Sequence, residues 1–188
     1  AGTISPDVKV TATTASGNDR VAGRGDGSLI GLKFTGIAVF APRRMLPHLR
    51  VLRVDKLSFG TTEGSKGGVA VAMRVHRSTI AFVSCHLASK KVDARLQQYR
   101  DICKSLGSRL GNSFFHLNEQ FHHIVWMGDL NDRCADISGE DALRLIESPT
   151  DLHRRLLNEH DELVRHRVES AIFDGFEEPP LAPDFFPT

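Results

Sequence analysis

Apolar and polar positions change rhythm several times along the chain. Val69, Val71, Met73 and Val75 alternate with Ala70, Ala72, Arg74 and His76, the period of a half-buried strand. Ile80 to Leu87 follows after a short His76-Arg77-Ser78-Thr79 turn, so the two runs are expected to pair as a hairpin. Upstream, Leu32, Phe34, Ile37 and Val39 form a β-rich run whose alternation breaks at Gly36. His48 to Phe59 is a second candidate strand, with Leu52, Val54 and Leu57 inward. The period then lengthens. Val92, Leu96, Tyr99, Cys103, Leu106 and Leu110 recur at helical steps, predicting an amphipathic helix with Ser89 as its N-cap and Gly107 or Gly111 as its stop. His123 to Met127 reads as a buried strand ending in Gly128-Asp129. Ser138 with Asp141 forms a start like a capping box for a short helix through Ile146. Another helical stretch begins near Thr150, with Leu152, Leu156, Leu163 and Val164 on its apolar face and a break near Asn158. Phe173 to Thr188 carries four prolines and cannot continue a helix.

Strands that alternate with a helix, together with a hairpin, predict an α/β layered fold with mixed sheets rather than a doubly wound parallel sheet. Residues 1–27 mix Thr, Ser, Gly and Asp with little apolar content and read as a polar loop or disordered segment, with no signal-peptide pattern. Residues 28–188 show no internal repeat and no dividing linker, so they are read as one domain. Lys and Arg number 24 against 23 Asp and Glu, so any basic surface must be local. The three cysteines are odd in number and widely spaced, which fits neither a disulfide framework nor a CxxC zinc pair and suggests a reducing compartment. No apolar run approaches the roughly 18 residues needed to span a bilayer.

Three segments carry candidate chemistry. In Trp126-Met127-Gly128-Asp129-Leu130-Asn131-Asp132-Arg133, an apolar strand feeds into a carboxylate and, two residues on, a carboxamide. Residues two apart in an extended segment project to one side. Asp129 can then take a proton from water while Asn131 donates to an anionic oxygen or fixes the water. The same composition also suits a strand-ending turn. In Phe82 to Ser89, His86 ends an apolar strand just before the helix, where it can donate to a phosphate oxygen, or equally be satisfied in the core. In Gly64-Ser65-Lys66-Gly67-Gly68, open backbone N–H groups and one cation can bind phosphate, or form a turn with a solvated lysine. These glycines precede a strand, not a helix, which disfavours a P-loop or dinucleotide motif. Arg43-Arg44, Arg50, Arg53 and Lys56 suit an acidic headgroup or membrane surface, or a solvated face. His122-His123 lack a paired ligand motif. Phe114, Phe115 and Phe121 are expected to pack, and Cys85 to be buried and inert.

Taken in order, the segments resemble the inositol polyphosphate 5-phosphatase family of the DNase I and AP-endonuclease-like superfamily. Trp126 to Arg133 is similar to its "WxGDxN(Y/F)R", Gly64 to Val69 to "GNKGGV", and Cys85 to Ser89 to "SHLAA". Arg95, Gln98, Tyr99 and Asp101-Ile102 resemble "ERRNQDYxDI". Gly175-Phe176-Glu177-Glu178 and Phe186-Pro187-Thr188 resemble "GFxE…FxPTYK", and Leu29 to Phe40 resembles the strand "LVGMMLFVF". The resemblance covers about residues 28–188 and identifies them as the central part of a catalytic domain. It implies a four-layer α/β/β/α sandwich of the DNase I-like type, incomplete in this chain. It also implies magnesium-dependent hydrolysis of the 5-phosphate of phosphoinositides or soluble inositol polyphosphates. Asp129 would orient or deprotonate the attacking water, Asn131 would help place it, and His86 would stabilise the phosphoryl oxygens. Lys66 and Arg133 would bind substrate. The implied partners are a phosphoinositide headgroup or soluble inositol phosphate and a peripheral membrane contact, with no nucleic acid, in the cytoplasm.

The departures are Asp132 in place of an aromatic, which adds negative charge near an anionic substrate, Ser65 in place of Asn, and Cys85 in place of Ser or Thr. The family's "GTWN" and "QE", "PxWCDR" and closing "SDH" are absent, so its Mg2+ ligands are not found here and the 188 residues alone are expected to be inactive. Two other readings remain: a nuclease or sphingomyelinase of the same superfamily, which shares the GDxN and His segments only, and a non-catalytic lipid-binding module derived from the family.

Overall fold

The computed structural model describes residues 35–59, 66–147, 159–169 and 172–177. The chain forms two compact units, the first ending at Leu130 and the second beginning at Asn131. In the first unit a 3-10 turn, Arg43–His48, leads into β1 (Leu49–Ser58). There follow β2 (Gly67–Val75), β3 (Ser78–His86), α1 (Val92–Leu110) and β4 (His123–Asp129). The second unit contributes α2 (Gly139–Ile146) and α3 (Glu162–Val168).

The sheet has four strands in the order β1-β2-β3-β4. β1 and β3 both run antiparallel to β2, and β4 runs parallel to β3. The mixed α/β character expected from the patterning is therefore present. β2 and β3 pair as the expected hairpin, turning through His76-Arg77, with His76 at φ 52°. A parallel neighbour needs a crossover, and α1 provides it between β3 and β4.

The core lies between the sheet and α1. Ala70 and Ala72 of β2 and Val83 and Cys85 of β3 pack with Ile102, Leu106 and Leu110 of α1, and with Leu117. Small residues on β2 let the helix approach closely: a Cβ on Gly68 would already stand 3.0 Å from the Ile102 side chain. This corrects the half-buried reading of β2. The alternate positions Ala70 and Ala72 are not on a solvent face, and Gly67 to Met73 are all buried. A central strand covered by a helix needs small apolar residues, not polar ones, on its second face.

Other expectations shift in detail. β4 is not a buried strand, since Val125 and Met127 are 40% and 39% exposed. It is the last strand of the described sheet, and its Ile124 and Trp126 alone turn toward the core. α1 is capped at Lys91, not Ser89, and runs through a buried Gly107 to stop at Gly111. Arg95 is buried on this helix although it is charged. Phe114 and Phe115 are 90% and 56% exposed, not packed. Their loop is held by Gln120 instead, whose amide donates to the carbonyls of Gly107 and Phe115 and accepts from the N–H of Asn112. Phe121 does pack against the core. Thr35 to Phe40 forms no strand among the described residues, and Leu32, Phe34, Leu152 and Leu156 lie outside them.

In the second unit, Ser138 caps α2 by accepting from the Asp141 N–H at 3.1 Å and donating to its carboxylate at 2.7 Å, as the spacing predicted. Asp161 caps α3 through the N–H groups of Leu163 and Val164. No described helix is long and apolar enough to cross a membrane.

Candidate active site

Three strand ends meet at one edge of the sheet. The antiparallel register sets Gly67 opposite His86, and the parallel register sets His86 opposite Asp129. The start of β2 and the ends of β3 and β4 therefore share that edge. Lys66, just before β2, brings its Nζ to 2.6 Å from the Nε2 of His86. The same Nε2 lies 3.3 Å from Oδ2 of Asp129. His86 is 28% exposed and Asp129 61% exposed at the side chain, so the carboxylate faces solvent and the imidazole is half sheltered.

The chemistry of this trio is constrained by a single nitrogen. An ammonium only donates, so the lysine contact needs a lone pair on Nε2 and places the ring proton on Nδ1. When Nε2 carries a proton it can donate to Asp129 instead. One imidazole thus stands between a cation and an anion: Nε2 accepts from the ammonium or, when protonated, donates to the carboxylate, which can itself accept a proton.

Gly128 makes the arrangement possible. Its φ is 123°, and a Cβ there would sit inside the backbone of Cys85 on β3. The glycine in the motif is thus required by strand pairing, which carries Asp129 into line with His86. Pairing continues one step further, with the N–H of Leu87 donating to the carbonyl of Asp129 at 3.0 Å. Trp126 anchors β4 from the other side. Its indole N–H points at the Cys85 sulfur at 3.2 Å, and its ring lies 5.1 Å from that of Tyr99 on α1. Gln98 of α1 accepts from the Ala88 N–H at 2.8 Å and so fixes the chain just past His86. Cys85 is 1% exposed, as expected. Burial pushes the Cys103 thiol up to about 11, against a smaller opposing effect of its Tyr99 hydrogen bond.

Asn131 and Arg133 belong to the second unit. Asn131 has φ 60° and is 9% exposed. Arg133, expected to bind substrate, donates from Nη2 to the Asn131 Oδ1 at 2.7 Å. Its backbone N–H donates to the Glu162 carboxylate at 2.9 Å, and its carbonyl accepts from the Glu162 N–H at 3.0 Å. Asp132 turns inward: its side chain is 9% exposed and lies 3.4 Å from Nδ1 of His166, itself 10% exposed. The expected extra charge is therefore buried beside a histidine. Sequence reasoning missed Glu162 and His166. Their partners lie about thirty positions away along the chain, and no local pattern marks them.

Gly64 and Ser65 lie outside the described residues. Among the described residues, no group of three or more His, Cys, Asp or Glu side chains is placed to hold a metal ion. The trio offers one carboxylate beside an imidazole and an ammonium, a poor fit to magnesium, which takes oxygen ligands in a near-octahedral array.

Residues 32–188 match the model of Endonuclease/Exonuclease/phosphatase family 2. The chain is 31% identical over 153 residues to type I inositol polyphosphate 5-phosphatase 5 of Arabidopsis thaliana, covering 76% of this chain and 28% of that protein. It is 33% identical over 138 residues to phosphatidylinositol 3,4,5-trisphosphate 5-phosphatase 1 of Homo sapiens, covering 71% and 11%. The chain thus spans less than a third of either relative. Its structure resembles the inositol polyphosphate 5-phosphatase domain of spsynaptojanin in complex with inositol (1,4)-bisphosphate and calcium ion. That likeness has a TM-score of 0.54 at 25% identity and covers 73% of this chain and 39% of that one. A Cimex nitrophorin, the A21V mutant, shares the fold at a TM-score of 0.52 and 17% identity, covering 74% and 45%.

Proposed function

This chain belongs to Endonuclease/Exonuclease/phosphatase family 2, and from that premise we propose that it carries the catalytic edge of an enzyme that hydrolyses the 5-phosphate of phosphoinositides or soluble inositol polyphosphates. The observation that carries this reading is the Lys66–His86–Asp129 trio on three adjacent strand ends. Asp129 takes a proton from the attacking water, whose oxygen bonds to phosphorus as the bond to the inositol oxygen breaks. With substrate bound, Lys66 turns from His86 to the phosphoryl oxygens and offsets their charge, which leaves Nε2 of His86 able to carry a proton and donate to one of them. Asn131 supplies an amide donor. The leaving inositol oxygen takes up a proton and departs as the hydroxyl.

The relatives' names support the inositol substrate class over nucleic acid or sphingomyelin. Magnesium dependence is part of the proposal, although the trio alone does not make a magnesium site. We also propose a cytoplasmic location with peripheral membrane contact through the exposed Arg43, Arg44, Arg50 and Arg53.

The test uses the natural polypeptide that contains these residues. It is incubated with inositol phosphates, phosphoinositide vesicles, DNA and sphingomyelin, with magnesium or EDTA, and the products are resolved by anion-exchange chromatography. Magnesium-dependent loss of the 5-phosphate is expected. Turnover of DNA or sphingomyelin alone would move the protein to another branch of the superfamily, and binding to inositol lipid without any turnover would make it a binding module.

A further inference from the structure

The second unit contains a set of contacts that the reaction does not use, and they converge on the segment carrying Asn131. A guanidinium has only donors, so the Asn131 side-chain atom 2.7 Å from Arg133 must be the carboxamide oxygen. The amide nitrogen then lies on the opposite side of the group. Asn131 sits at φ 60°, a left-handed conformation that asparagine tolerates better than most residues. Such a conformation persists only where the surroundings over-determine it.

The surroundings here are α3 and the residues just before it. Both backbone groups of Arg133 bond to Glu162, and the Ala135 N–H donates to the His160 carbonyl at 2.8 Å, which together set Cys134 opposite Asp161. Asp132 adds a fourth tie. A carboxylate 9% exposed is costly to bury unless it meets compensating groups, and the imidazole of His166 on α3 lies 3.4 Å from it. The contact lacks hydrogen-bond alignment at Nδ1, so it is ionic only when the imidazole is protonated and otherwise is a close packing of ring and carboxylate.

We infer that His166, Asp132 and Arg133 are positioning residues that act through Asn131, fixing its backbone conformation and the direction of its carboxamide so that it presents a donor. The inference rests on the phosphatase reading only for what that donor is used for. The orientation itself is a property of the second unit.

The experiment reads both parts separately. In the full chain, the side-chain NH2 of Asn131 is followed by 15N–1H NMR, assigned by its loss in Asn131→Asp. Two sharp, exchange-protected signals are expected. Arg133→Met and His166→Leu should collapse or strongly shift them, while Arg133→Lys and His166→Gln, which keep a polar partner, should restore them in part. These conservative variants decide the matter if the others fail to fold. In the natural polypeptide, His166→Leu should lower kcat for 5-phosphate release about 10-fold, the scale of a small misplacement of a catalytic group, with KM changed less than about 2-fold. The loss should vanish in an Asn131→Ala background. Signals already averaged in the unmutated chain, or unchanged in all four variants, would overturn the inference. So would losses that multiply in the Asn131→Ala background. Absence of 5-phosphate release from the unmutated protein counts against the phosphatase reading alone, since the NMR signals still decide the orientation.

Discussion

At the scale of single residues, Asp129 is the side chain on which the reaction reading depends most. Asp129→Ala should lower turnover by about 10²–10⁴-fold, the usual contribution of a positioned base. Its carboxylate is 61% exposed, so folding stability should barely change. Steady-state kinetics beside a urea melt would check both, and wild-type turnover would remove Asp129 from the mechanism. Asn131→Ala is expected to fall similarly in turnover. Gly128 is the converse case. Gly128→Ala puts a Cβ into the Cys85 backbone at φ 123°, so it should destabilise by more than about 1 kcal/mol and should also pull Asp129 away from His86. A urea midpoint unchanged from wild type would contradict that account of strand pairing. Asp129 and His86 were legible in the sequence because each ends an apolar run. The burial of Asp132 was not. The residue beside it, His166, lies on a helix far along the chain, and a charge written next to a candidate catalytic residue looks exposed until that helix is in place.

At the scale of elements, α1 supports the site edge from behind. Ile102 is fully buried against Gly68 at the start of β2, and Gln98 holds the chain just past the end of β3. Ile102→Ala should cost about 2–5 kcal/mol, the range for large-to-small changes in a core. Gln98→Ala should cost only about 1 kcal/mol, the net worth of one hydrogen bond, yet it should lower turnover because it frees the segment that carries His86. Thermal or urea unfolding paired with kcat separates the two. Loss of activity in Gln98→Ala strictly in proportion to lost folded protein would refute the link. The hairpin and the helix were readable from their periods, since alternation at Val69 to Val75 and three- and four-residue steps from Val92 admit few other structures. The two-sided burial of β2 was hidden because alanine fits both a solvent face and a tight helix contact. The exposure of β4 was hidden for the opposite reason, since an apolar run does not report how many of its faces are covered.

At the scale of the whole molecule, the trio must be joined to a metal site if the proposed reaction is to run. The chain spans 28% and 11% of the two relatives described above, and its described residues bring no three metal-binding side chains together. A hard cation such as magnesium needs several oxygen ligands in near-octahedral array. In the trio, one carboxylate oxygen already lies 3.3 Å from an imidazole that in turn contacts an ammonium. A divalent ion brought to Asp129 alone would be repelled by Lys66 and would keep most of its water. The 188 residues by themselves should therefore bind magnesium weakly and release 5-phosphate far more slowly than a longer polypeptide that adds an upstream Gln-Glu segment and a downstream Asp-His segment. The measurement is a titration of magnesium by calorimetry together with 5-phosphate release, on the 188 residues and on the longer form at equal concentration. Tight binding with equal specific activity in both would mean that oxygen ligands from within residues 1–188 complete the site, and the trio would then have to be reread as part of a metal centre rather than as its neighbour.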